Sequence, residues 1–76
     1  MSLENGIYQH YKGNLYEVLG VATHSETEQP HVVYKTLYGD LSLWIRPLSM
    51  FIEMVEIDGH TVPRFALVES AAEHKA

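Results

Sequence analysis

The stretch His31-Val32-Val33-Tyr34-Lys35-Thr36-Leu37-Tyr38 decides the fold class. It is rich in Val, Tyr and Thr, which favour a pleated, half-buried strand. Side chains along a strand point alternately to opposite faces. One set here is Val33 and Leu37; the other is Val32, Tyr34, Thr36 and Tyr38. Leu15 to His24 divides in the same way, into Leu15, Leu19 and Val21 against Tyr16, Val18, Gly20, Ala22 and His24. Leu41 to Arg46 gives Leu41, Leu43 and Ile45 against Ser42, Trp44 and Arg46. One face is therefore expected to be an aliphatic core of Leu15, Leu19, Val21, Val33, Leu37, Leu43 and Ile45, closed by Leu48 and Phe51. The other is expected to be a contact surface of Tyr16, Tyr34, Tyr38, Trp44 and Arg46, with His24 and Glu26 at its rim.

Outward from these strands the punctuation is consistent. Gly6 to Tyr11 is a short extended piece that ends at Lys12-Gly13-Asn14, the chemistry of a tight turn. Gly20 inside a long strand predicts a bend or bulge. Ser25 to Pro30 is a polar loop, and Gly39-Asp40 is a turn. Pro47 has no N–H for a ladder, so the strand ending at Arg46 stops there. Leu48, Phe51, Ile52 and Val55 lie at helical spacing, which predicts a single 3₁₀-type turn over Pro47 to Phe51. Asp58-Gly59 is a hairpin signal for a type I′ turn, with positive φ at both residues. The return strand, His60 to Val68, contains Pro63, which belongs at a sheet edge.

These elements predict an all-β domain. Its expected form is a small antiparallel SH3-like barrel, with a strongly bent sheet as the alternative, and one short helical turn near residues 47–51. Residues 1–5 read as a disordered leader, 6–68 as a single domain and 69–76 as a tail. At 76 residues the chain has room for one core. It has no cysteine, which removes disulfides and thiolate metal sites and fits a cytoplasmic protein. No run approaches the ~20 apolar residues of a membrane span, and no basic segment followed by an apolar one marks a secretory signal. Ten acidic residues against five basic ones give a net charge of −5. Lys12, Lys35, Arg46, Arg64 and Lys75 are scattered. Phosphate backbones demand clustered positive charge, so nucleic acid is disfavoured, and the acidic balance serves solubility.

Several segments together resemble a bacterial family. They are Tyr8-Gln9-His10-Tyr11-Lys12-Gly13-Asn14, Tyr16-Glu17-Val18, Ala22-Thr23-His24-Ser25-Glu26-Thr27, Val33-Tyr34, Trp44-Ile45-Arg46-Pro47-Leu48 and Met50-Phe51, with Val55-Glu56-Ile57-Asp58-Gly59 and Val62-Pro63-Arg64-Phe65. In this order they resemble DUF1653. The resemblance implies a small, soluble, standalone domain and brings no catalytic residues, because the family's function is unassigned. Leu37-Tyr38-Gly39-Asp40 is also similar to the aromatic loop of peptide-binding SH3 domains. It lies too far along the chain, and no acidic specificity loop accompanies it, so proline-rich peptide binding does not follow.

The remaining chemistry is thin. His24-Ser25-Glu26 holds the residue types of a hydrolase triad, but consecutive residues rarely achieve triad geometry. The local role expected of Ser25, Glu26 and Thr27 is to bond loop backbone. An enzyme using His24 and Glu26 stays as a lesser alternative. His10, His24, His31 and His60 lack metal-ligand spacing, so no metal and no cofactor are expected. Trp44 and Arg46 share a face, and Trp, Tyr and Arg are enriched at binding hot spots. The structural alternative is that Trp44 is core and Arg46 runs past it to solvent. Asp58-Gly59 and Lys12-Gly13 are turn chemistry, and Glu53 and Glu56 a solvated face. The expected function is a binding module for a peptide, a protein partner or a small anionic ligand, with an RNA- or ribosome-associated barrel as the alternative. Self-association through an edge strand is a further expectation.

Overall fold

The computed structural model describes residues 3–71. Its strands are β1 (Gly6–His10), β2 (Leu15–Thr23), β3 (Pro30–Thr36), β4 (Leu43–Pro47), β5 (Met54–Ile57), β6 (His60–Pro63) and β7 (Phe65–Ser70), with one helical turn, α1 (Leu48–Phe51), between β4 and β5. Five strands form an antiparallel sheet in the order β4-β3-β2-β1-β7, and β5 and β6 form a separate hairpin. The sheet is open, with β4 and β7 as its edges. The all-β antiparallel reading holds in its bent-sheet form; the barrel does not close.

Local chemistry explains the breaks. Asp58 and Gly59 have φ of 50° and 80°, and Ile57 faces His60 across the turn, as type I′ requires. Beyond Pro63 the expected single return strand divides at Arg64, so that β6 pairs with β5 and β7 pairs with β1. The helical turn differs from expectation in kind: Ile52 donates to the Leu48 carbonyl at 3.1 Å, an α-type bond, and Pro47 is its cap rather than its first residue. Described residues on either side of the expected 6–68 bond to the sheet. Ser70 ends β7, Tyr8 Oη donates to the Glu4 carbonyl at 2.6 Å, and Ala71 donates to the Asn5 carbonyl at 2.9 Å. The rest of the expected leader and tail lies outside the described residues. Gly6 permits this closure, since a Cβ there would collide with the Glu69 carbonyl.

The core is the reverse of the expected one. The buried side chains are Tyr8, Val18, Val32, Tyr34, Leu48, Phe51 and Phe65. Leu15, Leu19, Val21, Leu43 and Ile45 are all exposed, Leu43 and Ile45 at 64% and 58%. Only Leu48 and Phe51 of the expected cluster are buried. The reason is which face α1 covers. It follows β4 directly and lays Leu48 and Phe51 against the side that carries Val18, Val32 and Tyr34. Phe51 stacks on Phe65 at 4.1 Å and meets Tyr8 edge-on at 5.5 Å. Aromatic rings bury the most area per residue, and a short chain gains its core from them. We call this side concave and the other convex.

Candidate functional site: an aromatic pocket around Arg46

Cross-strand pairing assembles the site. Tyr34 faces Trp44 and Val32 faces Arg46 between β3 and β4, while Tyr16 faces Thr36 between β2 and β3. All these side chains project to the concave side. Together with Tyr38, from the turn after β3, they line one pocket of about 160 Å³: Tyr16, Tyr34, Thr36, Tyr38, Trp44 and Arg46. The five aromatic and arginine residues expected to act together are therefore brought together. Their roles are divided. Tyr34 is buried core, Tyr16 and Arg46 are half-buried in the wall, and Tyr38 and Trp44 form the exposed rim.

The rim is held by polar contacts. Tyr16 and Tyr38 share a hydroxyl bond at 2.9 Å, Trp44 Nε1 donates to Ser42 Oγ at 2.8 Å, and the Ser42 amide donates to Thr36 Oγ1 at 3.1 Å. Burial and the bond to Tyr38 push the Tyr16 hydroxyl up to about 12, so it stays protonated. Phe65, outside the pocket lining, supports it by packing edge-on against Tyr16 at 5.4 Å.

Arg46 is the unusual member. Its guanidinium carbon lies 5.5 Å from the Phe65 ring centre, a cation–π contact. Its Nε is buried without a hydrogen-bond partner. The ion pair among the described residues belongs to Arg64 and Glu53, at 2.8 Å. Arg46 thus lines a pocket without an ion pair to any described residue. Nearby His10 feels the same field: burial first, then Arg64, Arg46 and Lys12, hold its imidazole below the usual range. An acidic chain so acquires a local cationic spot. Arg64, which also has a buried, unpartnered Nε, was not singled out by sequence reasoning. Phe65 and Thr36 were missed as well, because the strand that carries Phe65 joins the sheet from the far end of the chain.

His24 and Glu26 do not rim this pocket. Tyr16 and Thr23 lie at opposite ends of β2, roughly 20 Å apart at ~3.3 Å per residue. Glu26 is exposed in the β2–β3 loop. His24 caps that loop, with Nδ1 accepting from the amides of Glu26 at 3.1 Å and Thr27 at 3.3 Å. It lines a different cleft of about 560 Å³ with His31, Pro30, Pro47, Leu48 and Ile52. Accepting at Nδ1 places the proton of neutral His24 on Nε2, which leaves no lone pair there for a metal. His31 Nδ1 meets the Gln29 carbonyl at 3.0 Å and so must donate. Among the described residues, no group of three His, Asp or Glu side chains has metal-site geometry. No helix there is long and apolar enough to cross a membrane.

Comparison with known proteins agrees with the fold. A family model described as "Protein of unknown function (DUF1653)" matches residues 6–67. The crystal structure of a DUF1653 protein from Bordetella bronchiseptica is similar, with a TM-score of 0.80 and 38% identity over 87% of each chain. No curated protein matches.

Proposed function

Since the chain belongs to the DUF1653 family, whose description assigns no activity, we propose from its own geometry that it is a binding module for an anionic group. The group is a carboxylate or phosphate carried by a peptide or small molecule. It enters the pocket between Tyr16, Tyr38 and Trp44 and pairs with Arg46. The observation that carries this reading is the buried Nε–H of Arg46, which has no acceptor, on a guanidinium with no ion pair to a described residue. A buried N–H without an acceptor is costly, and a bound anion would offset that cost through charge-assisted hydrogen bonds. The pocket volume of about 160 Å³ suits one such group with a few attached atoms. The rings of the rim supply apolar contact at low entropy cost.

The RNA alternative has the exposed rings of Tyr38 and Trp44 beside Arg46 in its favour, since bases stack on such rings. The net charge of −5 opposes it. One titration separates the readings. Trp44 is the chain's single tryptophan, so emission reports this site alone. Acetate and inorganic phosphate should change the emission saturably. Arg46→Gln should weaken that response by roughly 10-fold or more, the equivalent of a hydrogen bond to a charged group. An equal response from wild type and variant would remove Arg46 from the site. A response to oligouridine but to neither small anion would favour RNA.

A further inference from the structure

We infer that the convex face of the five-stranded sheet is the interface of a homodimer, with its two-fold axis running along the strands between β2 and β3. This rests on sheet register and is independent of the anion pocket, which lies on the opposite side.

The register sets one decisive row. Ile7 faces Glu17, Glu17 faces Lys35, and Lys35 faces Leu43 across β1, β2, β3 and β4. All four alternate with concave-side residues and so point to the convex side. The row reads apolar, negative, positive, apolar. A two-fold axis between its central members lays Glu17 on Lys35 of the second copy and Ile7 on Leu43. The row is thus complementary to itself, as a two-fold interface requires.

Neighbouring rows obey the same axis. Leu37 donates to the Leu15 carbonyl at 3.1 Å, so these two residues sit opposite and would exchange partners across the dimer. The register shift between Val18 and Gly20 sets Leu19 and Gly20 together against Val33, giving another apolar pair. Glu17 and Lys35 are half-buried and form no ion pair with any described residue, so both charges are available to a second copy. Leu43 and Ile45, at 64% and 58% exposed, would lose most of that exposure. Aligned sheets pack face to face about 10 Å apart, which suits aliphatic side chains of this size. Four strands ~4.8 Å apart and about five residues long present a small face, so the pair belongs among weak, transient interfaces.

The test is sedimentation equilibrium from ~5 to ~500 μM, a range chosen for an interface of this size. The wild type should rise from the 8.7 kDa monomer toward twice that mass. Glu17→Lys sets Lys against Lys across the axis, and Lys35→Glu sets Glu against Glu. Each variant alone should associate at least ~10-fold more weakly, and their equimolar mixture should recover the dimer as a heterodimer. If either charge variant fails to fold, Leu43→Asp decides, because that exposed site tolerates charge; it should remain monomeric. A wild type that is monomeric throughout would overturn the inference. So would variants that associate like wild type, or a mixture no stronger than its components. Association that survives both charge changes and Leu43→Asp would point instead to the β4 edge.

Discussion

Arg46 is half-buried against Phe65, with a buried Nε–H that no described residue accepts. Its charge reaches His10, whose imidazole is held below its ordinary value by burial and by Arg64, Arg46 and Lys12. The Lys12 amide also donates to His10 Nδ1 at 3.1 Å, which requires the neutral ring. The sign follows. With the folded value below the unfolded ~6.5, this contribution to stability is complete above ~6.5 and is lost as pH falls through the folded value. An NMR titration of the His10 ring should therefore place its midpoint below ~6.5. Arg46→Gln should move it upward by removing one positive neighbour; an unmoved midpoint would separate the two residues. At this scale the sequence was legible where chemistry is local. Asp58-Gly59 specified its turn through neighbouring backbone alone. His24 invited a catalytic or rim role because its type is reactive; in the fold its Nδ1 caps the β2–β3 loop. Arg46 was visible as a candidate through its parity with Trp44, but not its isolation, which depends on every residue that fails to reach it.

At the scale of elements, strand parity separated two chemically distinct faces correctly up to the β2 bulge and then oriented them wrongly. The separation is local, because alternation is built into the strand. The orientation is not, because it depends on where α1 and Phe65 land. Pro47 ends the β4 pairing, and the following turn folds Leu48 and Phe51 onto the tyrosine face. A bulge compounds the error: after Leu19 the register shifts, so Val21 pairs with Val32 on the concave side rather than continuing the Leu15 set. Gly20 announced such a bulge, yet a straight parity reading ignores its effect on everything downstream. The two orientations make opposite stability predictions. Phe51→Ala should cost about 3–5 kcal/mol, as truncation of a fully buried ring does. Leu43→Ser should change stability by no more than ~0.5 kcal/mol, as exposed sites do. Urea denaturation at concentrations below dimer formation measures both. A costly Leu43→Ser with a mild Phe51→Ala would restore the aliphatic core.

For the whole molecule, the antiparallel all-β class was legible because turn residues and β-rich runs alternate at short intervals. Closure was not. A barrel needs its terminal strands to meet, and here β4 and β7 remain edges while β5 and β6 pair only with each other. The open sheet has two consequences. Its concave side is partly filled by Phe51, Phe65 and Leu48, leaving the pocket at Arg46 where the filling stops. Its convex side carries the exposed Leu15, Leu19, Leu43 and Ile45, the face proposed above for a second copy. The account therefore rests on the concave pocket being a site rather than unfinished packing. The measurement that addresses this most directly is the Nε–H resonance of Arg46 in a ¹⁵N NMR titration with acetate and with phosphate, read beside that of Arg64. Arg64 has an equally unpartnered Nε–H, but its charge is paired through Nη2 with Glu53 at 2.8 Å, so it serves as an internal control for the effect of that pairing. The account predicts a saturable shift at Arg46, accompanied by the Trp44 indole, with Arg64 nearly still. Equal small drifts at both arginines, linear in salt, would contradict it.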